Sequence, residues 1–341
     1  MKQTKCIVLF LFLALLCACG VPAVSSTPQA SPLPTALPSA PAQPAAPSTP
    51  LLWKVTGEPG QGTLYLLGAI HAGTDAMYPL PEAVMDAYRA SDALAVECDI
   101  VSVQKNTSQM AQYTASFRYP AGDSVKNHLS AQGYHKIEAF LQAESSYGGT
   151  LSLFQSYNLA FWSSLVDEVF LSRAGLQSSF GLDAYFLSLA LEDATKDVLE
   201  VESLSFQFQM LSDIPDVLQE HLILQSIQAP EKEVSSLQML YEAVRTGNEA
   251  ELNRLLFEGE DWDAALTEQQ RDTLSPLMEA YQKAIYTDRN AHMAETANGY
   301  LKEGRQVFFV VGMAHMLGED GLVTALRSMG YRVTPVFTGA A

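Results

Sequence analysis

The sequence predicts an α/β protein: a mostly parallel central sheet flanked by helices, with a large helical insertion in the middle of the chain. Three observations predict it. Short runs of strand length, apolar on both faces, recur between residues 63 and 337, as in strands covered by helices on both sides. Longer stretches with apolar residues at helical spacing lie between them. Four of the runs end on or just before a histidine or a glutamate, and open parallel sheets gather their chemistry beyond the carboxyl ends of the strands.

Residues 1–18 stand outside this pattern and read as a secretory signal peptide. Lys2 and Lys5 precede an apolar run from Ile7 to Leu16, too short for an ordinary transmembrane helix. The run ends in Leu16-Cys17-Ala18-Cys19-Gly20, which is similar to a bacterial lipobox, whose cysteine is lipidated and becomes the new N-terminus. Cys19 is the candidate lipidation site; the alternative is plain cleavage near Ala18. Residues 19–50 then form a tether of Pro, Ala, Ser and Thr that cannot bury enough surface to offset its ordering entropy. Leu33 and Leu37 have helical spacing, but Pro32, Pro34 and Pro38 forbid a helix there. Cys6 and Cys17 leave with the signal, so Cys98 remains alone and no disulfide can form within the folded domain, residues 51–341.

The first apolar run, residues 63–70, stops at His71. Pro81 opens a helix over residues 81–91, with Val84, Met85 and Tyr88 on one face. Residues 93–96 form the next strand and stop at Glu97. Residues 131–194 read as several helices, including an aromatic-rich one over 154–170. Residues 197–201 are a third strand, stopping at Glu202. Residues 235–302 are helical, with breaks at Gly247-Asn248 and Ser275-Pro276. Residues 306–311 form the fourth strand, followed by Gly312-Met313-Ala314-His315 and a short amphipathic helix over 321–329. Residues 332–337 form the last strand, and Pro335 places it at an edge.

Of the 341 residues, 48% are hydrophobic and 17% charged, enough for a sizeable core. Acidic residues outnumber basic ones 38 to 20, which argues against nucleic acid as a partner and against docking on an anionic membrane by charge. The chemistry-bearing residues are the strand-end groups His71, Glu97, Glu202 and His315. Two imidazoles and two carboxylates on one rim suit a divalent transition metal, and equally suit general acid/base work without one. No spacing such as His-Glu-x-x-His decides between them. Gly68 and Gly312 each precede a histidine by three residues, and a glycine near a strand end lets a ligand or backbone approach closely.

Several of these runs resemble the TraB/GumN family. Leu66-Leu67-Gly68-Ala69-Ile70-His71, Tyr78-Pro79-Leu80-Pro81 and Ala95-Val96-Glu97 resemble its N-terminal signature. Gly181-Leu182-Asp183 resembles its central Gly-x-Asp element. Glu202-Ser203 with Gln207 resembles its Glu-Thr…Gln element, with serine in place of threonine, and Asp288-Arg289-Asn290 resembles its late Arg-Asn pair. Val311-Gly312-Met313-Ala314-His315, with Gly318 and Gly321, resembles the C-terminal signature. The resemblance implies kinship with the Tiki proteases, which are metal-dependent and cut secreted Wnt proteins. It also implies kinship with erythromycin esterase-like proteins, which hydrolyse a lactone, and ChaN-like proteins, which bind haem. TraB itself acts in shutting down a peptide pheromone. The resemblance therefore leaves open whether a member cuts or binds.

The expectation is a lipid-anchored envelope or cell-surface hydrolase, metal-dependent, acting on peptide or protein. His71, His315 and Glu97 are the candidate ligands of a divalent ion such as Mn, Co or Zn. Glu97 or Glu202 is the general base, with Glu200 a rival on the same strand face. Arg289 suits an oxyanion, or else a buried carboxylate partner. Asp183, Gln207 and Asn290 support the pocket, and Asp183 could instead cap a helix. Cys98 faces away from Glu97 and reads as a small buried apolar residue rather than a nucleophile. His128, His135, His221 and His292 read as surface residues. The alternatives are a protein that sequesters a peptide or haem-like ligand, and a metal-free esterase with a histidine base.

Overall fold

The computed structural model describes residues 47–337, apart from 148, 195, 259–261 and 265. The signal peptide, Cys19 and the tether up to residue 46 lie outside the described residues. The packed chain begins before Leu51. Ser48 is buried, the Thr49 N–H donates to the Arg245 carbonyl at 2.7 Å, and the Thr49 hydroxyl donates to the Thr246 carbonyl at 2.9 Å.

Among the described residues, six strands form one sheet: β1 Leu52–Thr56, β2 Thr63–Ala69, β3 Ala93–Val96, β4 Asp197–Glu200, β5 Gln306–Gly312 and β6 Arg332–Val336. Their order is β4-β3-β5-β2-β1-β6. The β2–β5, β3–β5 and β3–β4 pairs are parallel, and only β1 runs against its neighbours β2 and β6. The sheet is thus mostly parallel, as the apolar runs imply. Leu64, Leu66, Leu67, Leu94, Val307, Phe308, Phe309 and Val310 are fully buried because both faces are covered.

Helices fill the connections. Between β2 and β3 lies α1 Glu82–Arg89. Between β3 and β4 come α2 Ile100–Lys105, α3 Thr107–Ser116, α4 Ala131–Gln142, α5 Leu159–Ala174 and α6 Leu182–Asp193. Between β4 and β5 come α7 Leu204–Ser212, α8 Asp216–Gln228, α9 Pro230–Arg245, α10 Glu249–Phe257, α11 Glu268–Gln282 and α12 Asp288–Lys302. The one-turn α13 Met313–Met316 and α14 Leu322–Ser328 follow β5. The helical insertion therefore enters the sheet as two long crossovers that flank the edge strand β4. Among the described residues, no helix is long and apolar enough to cross a membrane.

Helix α5 is buried on nearly every face, which is why its aromatic residues are core: Trp162 is fully buried and its indole N–H donates to the Phe154 carbonyl at 3.0 Å. It ends at Gly175, whose φ of 75° is the left-handed cap that glycine adopts without strain. Tyr88, Phe186 and Phe308 pack α1 and α6 on the sheet, with ring centroids 4.7–5.6 Å apart.

Two helix-break expectations part company. Gly247-Asn248 does separate α9 from α10, and Asn248 caps the latter by accepting from the Glu251 N–H. Ser275-Pro276 breaks nothing: Pro276 lies inside α11, where Leu274, Met278 and Tyr281 anchor the helix on both sides of it. The irregular turn comes later, as a π-helical stretch over Lys283–Thr287 leading into α12.

Candidate active site

Four parallel strands deliver their ends to one rim. β2 leads to His71, β3 to Glu97, β4 to Glu202 and β5, through α13, to His315. The β2–β5 register pairs Ala69 with Gly312, so the two histidines, 244 positions apart, leave adjacent strands on the same edge of the sheet. Gly312 marks the point of convergence. A Cβ placed there would lie 3.3 Å from Glu97 Oε1, 3.4 Å from His71 Nε2 and 3.5 Å from His315 Cδ2. The absent side chain leaves a small cradle between three functional groups.

The cradle is surrounded by buried polar partners. His71 Nδ1 lies 3.0 Å from Asp183 Oδ2, and His315 Nδ1 lies 2.6 Å from Asn290 Oδ1. Each imidazole is thus held through Nδ1 by a helix side chain, Asp183 from the first turn of α6 and Asn290 from α12. Glu97 Oε1 accepts the Gly312 N–H at 2.7 Å, and Glu97 Oε2 accepts from Arg289 Nη2 at 2.7 Å and Gln207 Nε2 at 3.1 Å. Arg289 also makes a two-point contact with Glu202, Nε to Oε1 at 2.8 Å and Nη2 to Oε2 at 2.7 Å. Gln207 Nε2 donates to Glu202 Oε2 as well, at 3.1 Å. Arg289 is 1% exposed, and a buried guanidinium in such a fork belongs to the carboxylates it bridges.

The surroundings separate the titration of these groups. Burial alone would lower His71, but the Asp183 carboxylate, then Glu97, raise it from 6.5 to about 9. Burial and the Arg289 charge push His315 the other way, to about 3. Burial would raise Glu97, yet Arg289, the two histidines and the Gly312 N–H hold it down at about 2. The site therefore sets a proton-bearing imidazole beside a neutral one, with an ionised carboxylate between.

The other sequence expectations sort themselves. Glu200 is exposed and accepts the Asp99 N–H at 2.8 Å, so it turns away from the site while Glu202 turns in. Asp183 lies one residue inside α6 and serves His71 rather than the helix cap, which is Gly181. Cys98 is buried as expected but is not merely apolar: its thiol donates to Gln207 Oε1 at 3.4 Å, placing it behind the carboxylates. Burial, then the nearby carboxylates, raise that thiol well above its ordinary value. His135 and His292 are exposed, His292 contacting the Val201 carbonyl at 2.9 Å. His128 and His221 are half-buried; His128 bridges Asp123 and Asp216 and stacks on Tyr119, a pairing that polar sequence context does not announce. The two glycines also differ in role. The space at Gly68 is taken by Met313, whose Cε would stand 2.4 Å from an added Cβ, so only Gly312 opens into the site. Sequence pattern could not separate them, because the difference lies in which neighbour fills the gap.

The donor set suits a divalent ion in kind: two imidazoles fixed through Nδ1, a carboxylate, and room left by Gly312. His71 Nε2 and Glu97 Oε1 are 3.8 Å apart. Among the described residues, no group of three His, Cys, Asp or Glu has the spacing of a formed metal centre, so the donors would have to draw together around an ion.

The model of the TraB/PrgY/gumN family matches residues 51–335, the span from the first strand to the last. The chain is similar to the Uncharacterized protein YbaP of Escherichia coli (strain K12), 28% identical over 158 residues that cover 46% of this chain and 55% of the relative. The protein of the same name from Shigella flexneri is similar to the same extent. The chain thus spans about half the length of the curated relatives it matches. No solved structure matches it.

Proposed function

This chain belongs to the TraB/PrgY/gumN family, and we propose that it is an exported, lipid-anchored hydrolase of peptide or protein substrates. The observation that carries the proposal is the convergence of His71, Glu97 and His315 on the cradle at Gly312. Seven elements supply the buried polar groups in and around it, and burying so many is costly unless they act together.

His71, His315 and Glu97 are the residues that would hold a divalent transition ion such as Mn, Co or Zn. Such an ion would supply Lewis-acid polarisation of a scissile carbonyl and acidify water. The chain's own residues do the rest. Asp183 and Asn290 fix the imidazoles through Nδ1, which leaves Nε2 of each ring for the reacting groups. The Gly312 N–H and Arg289 hold the Glu97 carboxylate in one orientation. Arg289 and Gln207 tie Glu202 to Glu97, so a base at Glu202 would act from a clamped position.

The opposed titration of the histidines supports a second reading, metal-free hydrolysis. In it, neutral His315 takes a proton from water and protonated His71 supports the developing oxyanion or leaving group.

One experiment separates these readings from sequestration of a ligand. The purified full chain is analysed for bound metal, then screened against a quenched-fluorescent peptide library before and after chelation, with Mn, Co or Zn restored. Cleavage that chelation abolishes and one of these ions restores supports the metal-dependent reading. Cleavage that survives chelation supports the metal-free one. Retention of a peptide or haem-like ligand without turnover would replace both with a binding protein.

A further inference from the structure

Tyr78, in the run Tyr78-Pro79-Leu80-Pro81, has no direct part in the chemistry above, yet it grips the segment that orients His71. The loop carrying His71 lies flush against residues 177–183. Gly73 and Gln177 exchange both backbone hydrogen bonds, at 2.9 and 2.8 Å, and the Leu182 N–H donates to the Ile70 carbonyl at 3.1 Å. Contact is so close at Gly181 that a Cβ there would stand 2.7 Å from the His71 carbonyl oxygen. Helix α6 starts at this point, and its cap residue Gly181 has no side chain to fix the first turn. Asp183 sits in that turn, so the start of α6 sets where its carboxylate meets Nδ1 of His71.

Tyr78 supplies the missing restraint from both sides of Asp183. Its hydroxyl donates to the Phe180 carbonyl at 3.1 Å and to the Gly181 carbonyl at 3.4 Å, the two peptides before the helix. Its ring packs on Tyr185, two residues beyond Asp183, at 4.7 Å between centroids. We propose that Tyr78 is a positioning residue for His71, acting through Asp183: its hydroxyl fixes the first turn of α6 so that the carboxylate holds the imidazole. The proposal rests on the reading of His71 as a working group of the site. Burial, then the Asp183 charge, raise the phenol above its ordinary range, so the hydroxyl stays a donor at physiological pH.

The test uses the full chain labelled with nitrogen-15 at histidine, and reads the Nδ1 proton of His71, assigned by its loss in His71→Gln. Asp183→Asn sets the reference for a broken pair. Tyr78→Phe keeps the ring on Tyr185 and removes only the donor, so the fold should persist. The expected result is a Tyr78→Phe protein whose Nδ1 proton moves upfield or broadens toward the Asp183→Asn pattern, with a melting temperature within a few degrees of the parent. Tyr78→p-aminophenylalanine, which restores a donor, should restore the resonance. For any peptide that the parent cleaves, kcat should fall roughly tenfold in Tyr78→Phe with KM nearly unchanged, as for a misplaced catalytic group. An unchanged Nδ1 proton in folded Tyr78→Phe overturns the proposal. So does general loss of the folded spectrum, which would make Tyr78 a residue of the fold alone. If the parent cleaves no peptide, the hydrolase reading fails, and the resonance still decides the role of Tyr78.

Discussion

At the scale of single residues, the two Gly-x-x-His elements look alike in sequence and differ in consequence. Gly68→Ala forces Met313 out of a packed position, a strain of about 1–3 kcal/mol. A lowered melting temperature with an intact site should result, and the further change Met313→Ala should recover part of the loss. Gly312→Ala has an allowed backbone, with φ of −49° and ψ of 138°, but its methyl enters the cradle. It should abolish peptide turnover while the melting temperature moves little; loss of stability without loss of turnover would reverse these assignments. The histidines yield a pH prediction. His71 titrates at about 9 when folded and 6.5 when unfolded, so its contribution is full below 6.5 and is lost as pH rises toward 9. His315 titrates at about 3 when folded, so its contribution is full above 6.5 and is lost as pH falls toward 3. Melting curves across this range should therefore peak near neutrality. His71→Gln should flatten the alkaline limb and His315→Gln the upper part of the acid limb, and variants that keep both limbs would refute the environments described.

At the scale of elements, the strands differed in how they could be read: β4 and β6 are largely exposed and were legible from short apolar stretches alone. β2, β3 and β5 are apolar on both sides and could be read directly. β1 could not, because as the antiparallel strand beside edge β6 it alternates Trp53 and Val55 with Lys54 and Thr56. Pro276 misled for a related reason: a proline marks a break locally, but buried side chains on either side keep α11 continuous. Helix α5 was legible as an aromatic-rich helix, yet it conceals a cost. Asp167 is 2% exposed within it, and burial, then Glu233, raise its carboxyl well above 3.8. The unfolded chain releases that proton as pH rises past 3.8 and the folded chain keeps it, so stability is lost with rising pH. Asp167→Asn removes the titrating group and should melt roughly 2–4 °C higher than the parent at neutral pH. The gap should close near pH 4; a variant less stable at every pH would show that the carboxyl has partners the amide cannot replace.

At the scale of the whole molecule, the histidines and glutamates of the site were legible because strands of one parallel sheet end on one rim. The full order of the strands was not legible, nor which of its two expected roles Arg289 takes, because both depend on crossovers through the helical insertion. The packed chain starts a few residues before Leu51. Deleting residues 21–46 should leave the melting temperature unchanged, whereas deleting 21–50 should lower it, since Ser48 is buried and Thr49 bonds to α9 and the turn after it. Equal effects of the two deletions would return the boundary to Leu51. Cys19→Ala should move the protein from the detergent phase to the aqueous phase on partitioning, and unchanged partitioning would remove the lipid anchor from the proposal.

The strand order has a consequence in time. β5 sits between β2 and β3, although some two hundred residues of chain separate it from β3. A growing chain makes His71 and Glu97 well before His315, and until β5 arrives the strands that carry the first two have no common neighbour to join them. A product of synthesis that stops before β5 can pair β3 with β4, but it has no strand to bring His71 to Glu97. Whatever the site does, His71 and Glu97 are joined through the sheet only once β5 has been made.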